Sequence, residues 1–350
     1  MDPREAPQPR ARDLAGPQGD RRHALRDGVS QALRQKNPDY EEYLRLLVDE
    51  DLWTLLAIPF SAELAELTRE LTQPAIPAST QSRPEQKRTT TAGAADETII
   101  REAIARELNK PASELVDSDC AQVTRLNLSL SKLSDLTPLK GLTSLQELYL
   151  DGTHVTDLTA LQGLTSLQRL RLNQTKVSDL TPLRGLTSLQ ELHLSRAQVS
   201  DLTALQGLTS LQGLVLDTTP VSDLTPLKEL SSLHLLSLGQ TQVSDLMALQ
   251  GLTSLQRLWL NQTQVSDLTP LHGLTDLIVL YLNGTRVSDL TALEGLTSLR
   301  ELYLNQTRVS DLTALRVLTS LHVLSLEWTQ ISDEQVAELK RALPKLTIVR

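Results

Sequence analysis

The chain has 350 residues, of which 40% are hydrophobic but only 3% aromatic, and its formal net charge is −9. The single cysteine, Cys120, excludes an internal disulfide and a zinc site with several thiolates, and it fits a reducing compartment. The opening MDPREAPQPRARDLAGPQGDRR lacks the apolar segment of a secretory signal, and the longest apolar run, 53–62, is too short to span a bilayer. We therefore expect a cytoplasmic protein, unless a route without such a signal exports it.

Three segments of different composition precede residue 97. Residues 1–19 are polar and rich in proline, which predicts a disordered tail. Residues 20–72 carry apolar residues at helical spacing and predict a small helical module that resembles no family. Residues 73–96 are rich in Pro, Ser and Thr and predict a flexible linker.

Residues 97–119 predict a helical N-terminal cap. Ile100, Ala103, Ile104 and Leu108 recur at helical spacing, and the helix should stop near Pro111. A repetitive fold exposes apolar residues at each end unless it is capped, so this helix is expected to cover the first repeat.

Residues 120–339 form ten repeats of 22 residues without an insertion. Within a repeat, positions 1, 4, 7, 9, 17 and 20 are mostly Leu and position 14 is Val; the repeat 252–273 is an example. Leu258 and Leu260 alternate as in a short strand, with Arg257, Trp259 and Asn261 on its other side. Stacked strands form a parallel sheet, and Pro or Ala at position 19 with Gly at position 22 favours turns or 3₁₀ segments on the return path. The pattern predicts an α/β solenoid.

A C-terminal cap is predicted over residues 340–350, together with the end of the last repeat. Ser332 and Gln335 form a capping box for a helix that carries Val336 and Leu339 and ends before Pro344. The alternating residues 346–348 then predict a last strand.

The sequence LTSLQELYLDGTHVTDLTAL at 142–161 resembles the leucine-rich repeat family, in the 22-residue class of bacterial internalins and phosphatase-regulator proteins. That resemblance implies a concave parallel sheet that binds proteins. It also implies an asparagine ladder between coils at position 12, where this chain has Ser131, Thr153, Thr175, Ala197, Thr219, Thr241, Thr263, Thr285, Thr307 and Thr329. A threonine hydroxyl can supply a shorter version of such a ladder, and Ala197 should interrupt it.

The acidity of the chain belongs mainly to its framework. Position 16 is Asp in all ten repeats, where the carboxylate is expected to accept backbone N–H bonds at the turn. The expected concave face is mixed, with a basic N-terminal half interrupted by Glu147 and Glu191; its cations are Arg125, Arg169, Arg171, Lys176 and Arg196. A mixed face favours solvated charges over nucleic-acid binding, so we expect no nucleic acid and no membrane as partner.

Position 8 varies most in chemistry from one repeat to the next. Trp259, Tyr281 and Tyr303 occupy it in three consecutive repeats and predict an exposed aromatic strip about 10 Å long, since strands lie about 4.8 Å apart. Exposed aromatic residues are typical of binding sites, although their stacking could simply stabilise the sheet. The predicted protein-binding residues are Trp259, Tyr281, Tyr303, Arg257, Leu235, Ile278, Val279, Asn261, Tyr149, Arg171 and His193.

The sequence shows no catalytic or cofactor motif. His154 and His193 lie on different repeats without a second ligand at metal spacing, and Cys120 occupies a leucine position, which predicts a buried core thiol. We therefore expect a monomeric, non-enzymatic interaction scaffold without a cofactor, which binds a protein partner on its concave face. The alternative is a regulatory subunit that modulates a phosphatase, a kinase or an NTPase.

Overall fold

The computed structural model describes residues 89–350, so the predictions for 1–19, for 20–72 and for most of the linker lie outside the described residues. Eleven parallel strands form one open sheet in chain order, which confirms the predicted solenoid. The strands are β1 Arg125–Asn127, β2 Glu147–Tyr149, β3 Arg169–Arg171, β4 Glu191–His193, β5 Gly213–Val215, β6 Leu235–Ser237, β7 Arg257–Trp259, β8 Val279–Tyr281, β9 Glu301–Tyr303, β10 Val323–Ser325 and β11 Thr347–Val349.

The leucines form one continuous core along the stack. Leu258 pairs with Leu280 in the next strand, and both side chains are 0% exposed. The same register recurs from β1 to β10 because the paired residues of neighbouring strands are 22 positions apart in each coil. Since each buried leucine contributes roughly 1.5–3 kcal/mol, stacking supplies the stability that no single coil could reach.

The return paths of the first nine coils turn through a short 3₁₀ segment, and that of the tenth runs through the α-helix Asp333–Ala342. These segments are Thr137–Leu139, Thr159–Leu161, Thr181–Leu183, Thr203–Leu205, Thr225–Leu227, Met247–Leu249, Thr269–Leu271, Thr291–Leu293 and Thr313–Val317, and two more, Ala112–Glu114 and Asp117–Gln122, precede β1. The position-16 carboxylate accepts the backbone N–H two residues on, as in Thr269 N to Asp267 Oδ1 at 2.8 Å. The contact recurs at Asp135, Asp157, Asp179, Asp201, Asp223, Asp245, Asp289 and Asp311, which confirms the predicted capping role at these positions.

The threonines at position 12 do not form the expected ladder between coils. Thr263 Oγ1 donates to the carbonyl of Leu260 in its own coil at 2.7 Å, and the same bond recurs in the other coils that carry Thr at this position. The hydroxyl lies at the end of a short side chain and reaches only the turn that it belongs to. Ala197 therefore removes a bond within its coil and interrupts no ladder.

Bonds between coils are made two residues earlier, at position 10. Asp151 Oδ1 accepts from Asn173 N at 2.8 Å, and Asn173 Oδ1 in turn accepts from Ser195 N at 2.8 Å. A second run links Asn283 to Asn305 and Asn305 to Glu327, each at 2.8 Å. The ladder implied by the family resemblance thus exists in part, but at a different position.

Position 11 lies in the left-handed region of backbone conformation in all ten coils. Glycine takes it at Gly152 and Gly284, with φ of 67° and 69°. The other coils hold non-glycine residues there at φ of 56–60°: Leu130, Gln174, Arg196, Thr218, Gln240, Gln262, Gln306 and Trp328. This conformation costs a non-glycine residue roughly 1–2 kcal/mol, so the stacking must hold the backbone in place.

A helix lies at each end of the described repeats, and strand β11 forms the C-terminal edge of the sheet itself. Helix α1, Thr89–Glu107, buries Ile100 and Ala103 as predicted, but it begins inside the segment expected to be a linker. Its Asp96 is only 3% exposed and accepts from Asp135 N at 2.9 Å, which fastens the helix to the first coil. Helix α2, Asp333–Ala342, has the predicted capping box at Ser332.

Cys120 differs from its prediction. Its thiol is half-buried and packs against the edge of the core. The residue lies in the irregular 3₁₀ segment Asp117–Gln122, where no preceding coil covers it.

Candidate functional site

Three aromatic rings stack across neighbouring strands on the face opposite the leucine core. Trp259, Tyr281 and Tyr303 are in register on β7, β8 and β9. The Trp259 and Tyr281 ring centroids are 6.0 Å apart with planes 23° from parallel, and those of Tyr281 and Tyr303 are 4.0 Å apart at 8°. All three side chains are half-buried, so each ring keeps a solvent-facing portion. We call these three residues the aromatic strip.

The two tyrosines of the strip are neutral phenols at physiological pH. Burial raises the pKa of Tyr281 and of Tyr303 above the ordinary value of 10.0. Tyr303 Oη donates a hydrogen bond to Glu301 Oε2 at 2.9 Å. The strip is therefore apolar over most of its surface, with one carboxylate engaged at its C-terminal end.

The row beside the strip, at position 6, is apolar on both sides of one arginine. Leu235, Arg257 and Val279 pair in register on β6, β7 and β8. Leu235 and Val279 are half-buried, and Arg257 is exposed. The strip, Leu235, Arg257 and Val279 therefore form one continuous surface.

This surface continues to a shallow depression just before the strands. Ile278 lines the depression with Gln256, Asp276, Thr297, Ser298, Arg300 and Ser320. Asn261, after β7, is half-buried, and its Oδ1 atom has no hydrogen-bond partner within residues 89–350. The structure thus brings together eight of the predicted residues: Trp259, Tyr281, Tyr303, Arg257, Leu235, Ile278, Val279 and Asn261.

The other three predicted residues form a separate, polar cluster on β2, β3 and β4. Arg171 and His193 are only 5% and 7% exposed, so the expectation of an exposed row is wrong for both. Arg171 Nε lies 3.1 Å from Asp151 Oδ2, and its guanidinium lies over the Tyr149 ring at 5.8 Å from the centroid. The buried carboxylate of the preceding coil holds the arginine against the sheet. Burial, together with the charge of Arg171, lowers the pKa of His193 to about 3, so its imidazole is neutral.

The basic patch expected in the N-terminal half is largely neutralised. Arg169 NH1 lies 3.0 Å from Glu147 Oε1, and Arg169 Nε lies 3.4 Å from Glu191 Oε2. The two glutamates that interrupt the patch in sequence are thus its ion-pair partners in register. This part of the face offers no continuous positive track.

One exposed aromatic residue was missed by the sequence analysis. Trp328 is 83% exposed, the highest value among the exposed large hydrophobic residues, and it holds the left-handed position 11 at φ 60°. The signal was a tryptophan at a position where other coils mostly carry Gln or Gly.

Metal binding and membrane insertion find no support in residues 89–350. No group of three or more His, Cys, Asp or Glu in this range is placed to hold a metal ion. The helices within it are too short or too polar to cross a bilayer.

Comparison with known proteins identifies related repeats. The family model for leucine-rich repeats (2 copies) matches residues 143–185, 165–207, 253–295 and 275–317. An internalin (InlF) of Listeria monocytogenes is 27% identical over 72% of this chain and 87% of its own, with a TM-score of 0.63. Internalin C2 of the same species is 26% identical over 65% of this chain and 92% of its own, with a TM-score of 0.51.

A third structure shares the fold alone. It is a leucine-rich repeat protein of Leptospira interrogans, 22% identical over 65% of this chain and 72% of its own, with a TM-score of 0.51. Among curated protein sequences, none matches the chain significantly.

Proposed function

We propose that the chain, whose repeats match the family model for leucine-rich repeats, is a non-enzymatic scaffold that binds a protein partner through the aromatic strip and the surface beside it. One observation carries the proposal: three stacked aromatic rings share the solvent side of the sheet with apolar neighbours. Contiguous apolar surface on an otherwise polar face is typical of partner sites, and Trp and Tyr are enriched at binding hot spots.

Stacking alone is a weaker explanation of the strip. A cross-strand aromatic pair adds about 0.2–1 kcal/mol, a small amount in a sheet that already has a continuous leucine core. Nearby coils reach the same register with Ser237 or Ser325 at the same position. The rings are therefore dispensable for pairing the strands, which supports a role in binding.

The proposal is tested by capturing partners from lysate with the full-length chain and with the double variant Trp259→Ala, Tyr281→Ala. We expect the double variant to retain less than a tenth of the specific partner, because truncation of two hot-spot aromatics commonly costs more than tenfold in affinity. Its melting temperature should fall by only a few degrees. Mass spectrometry identifies the captured proteins.

Met247→Ala is the control, since Met247 is an exposed apolar side chain on the return path, outside the strip and outside the predicted binding residues. It should leave capture unchanged. Equal capture by the wild-type protein and the double variant would contradict the assignment. If a captured protein is an enzyme whose rate changes when this chain is added, that result would support the alternative predicted from the sequence, a regulatory subunit.

We further propose that the chain has no catalytic activity, since its sequence shows no catalytic motif. We propose a cytoplasmic location, since a single cysteine fits a reducing compartment, and a monomeric state.

A further inference from the structure

Two arginines at the same repeat position have opposite surroundings. Arg169 on β3 lies between Glu147 and Glu191 on the adjacent strands, at 3.0 and 3.4 Å from their carboxylates. Arg257 on β7 lies between Leu235 and Val279. The sheet therefore provides Arg169 with two counter-charges and Arg257 with none from its in-register neighbours.

The wider surroundings of Arg257 do not supply a counter-charge either. Within residues 89–350 its side chain forms no ion pair or hydrogen bond, and it is exposed. The next carboxylate along its row, Glu301, lies two strands away, which is about 10 Å at ordinary strand spacing, and it accepts from Tyr303. Asp276, at the depression, makes no ion pair with it, and the nearby ionisable side chains His234 and Arg300 carry no negative charge.

Resting on the proposed function, we propose that Arg257 receives a carboxylate of the protein partner. The partner's contacting segment then carries an acidic residue next to the apolar or aromatic side chains that cover Trp259. Arg257 and Trp259 are two residues apart on one strand, so their side chains point to the same side of the sheet. One short segment of a partner can contact both.

The apolar neighbours explain why this pair would matter. A partner that covers Leu235, Val279 and Trp259 excludes water around the guanidinium, which strengthens its attraction to a carboxylate. A partner that covers these residues but lacks an acidic residue at this point buries the Arg257 guanidinium without a counter-ion. Arg257 therefore selects among partners, whereas the strip supplies most of the affinity.

The inference is tested with a displayed library of random linear peptides selected on the immobilised full-length chain. Parallel selections use Arg257→Gln, Trp259→Ala and, as a matched control, Arg184→Gln, an exposed arginine on the return path. We expect wild-type and Arg184→Gln selections to enrich Asp or Glu near an aromatic or aliphatic residue. The Arg257→Gln selection should keep the apolar residue and lose the acidic one.

A double-mutant cycle then measures the pair itself. A selected peptide and its Asp→Asn or Glu→Gln counterpart are titrated against each variant. Arg257→Gln should weaken the acidic peptide about tenfold and leave the amide peptide within about twofold, because the charge pair is already absent from the latter. Arg184→Gln should change neither by more than about twofold.

The outcomes separate this inference from the proposed function. Peptides that need Trp259 but show no acidic preference, or an equal loss for both peptides on Arg257→Gln, would overturn the role of Arg257 and leave the strip as the binding site. Failure of the wild-type protein to enrich any peptide over Trp259→Ala would count against both.

Discussion

Gly239 stands at position 10, where every other coil carries a polar side chain, and the half-buried carboxylate of Asp217 accounts for it. Asp217 Oδ1 accepts from Gly239 N at 2.7 Å, and the two Asp217 oxygens accept from Ser237 Oγ at 2.6 and 2.7 Å. A Cβ atom at 239 would lie 2.8 Å from Asp217 Oδ1. The serine and the glycine are thus both fitted to one aspartate of the preceding coil.

The variant Gly239→Ala should lower the free energy of unfolding by about 1–3 kcal/mol, because the methyl group forces the Asp217 carboxylate away from its donors. Chemical denaturation measures the change. Gly213→Ala is the control: its Cβ would meet only Glu191 Cγ at 3.6 Å, an ordinary contact, so stability should stay the same or rise slightly. Equal effects of the two variants would disprove the steric explanation.

At the scale of elements, the return turns that follow Asp179, Asp223 and Asp267 each depend on an ionised aspartate. Hydrogen bonds from the threonine side chain and backbone two residues on hold the pKa of Asp179, Asp223 and Asp267 below the ordinary value of 3.8. A depressed folded-state pKa contributes stability that is present above the unfolded value and is lost as the pH falls through the folded value. Asp217 acts in the opposite direction, because burial raises its pKa.

We therefore expect the melting temperature to be nearly constant above about pH 5 and to fall below about pH 4. Replacing Asp179, Asp223 and Asp267 together by Asn should make the loss between about pH 5 and pH 3 smaller, because Asn keeps the acceptor oxygen but does not titrate. Thermal melts over the pH range measure this. An acid loss of melting temperature that is the same in the triple variant and the wild-type protein would refute this explanation.

The sequence predicted the elements wherever their cause is local or periodic. Leu258 and Leu260 follow from the period, and the contact from Asp267 to Thr269 spans two residues of one turn. The burial of Arg171 and His193 was not predicted, because it depends on side chains of adjacent coils. The ladder was expected at position 12 because the family resemblance implies it there, and only the stacked geometry shows that the side chain at position 10 is the one that reaches the next coil.

At the scale of the whole described molecule, the sheet is a stack in which each coil pairs only with its neighbours. Stability in such a stack is approximately a sum over coils and their interfaces. The strip occupies β7 to β9, and the caps lie at the ends. A coil between the N-terminal cap and the strip can therefore be removed without changing the strip or the caps.

Deleting residues 208–229, one whole repeat, should give a folded protein, because β6 then stacks on β4 with leucine facing leucine. We expect unchanged circular dichroism per residue, a single cooperative melt at a lower temperature, and retained binding through the strip. Deleting 208–228 is the control, since it shifts the leucine register by one residue and should prevent folding. Aggregation of both deletions would contradict the additive stack.

The left-handed residue in each coil has a consequence for how this protein can change over generations. Once a coil has accepted a Cβ atom at position 11, as at Gln262 and Trp328, exchanging one such side chain for another adds little further backbone cost. The row of residues at position 11 can therefore accept substitutions during evolution with little effect on the leucine core. Trp328, which is 83% exposed, shows that even a large aromatic side chain is accepted at this position while the sheet stays the same.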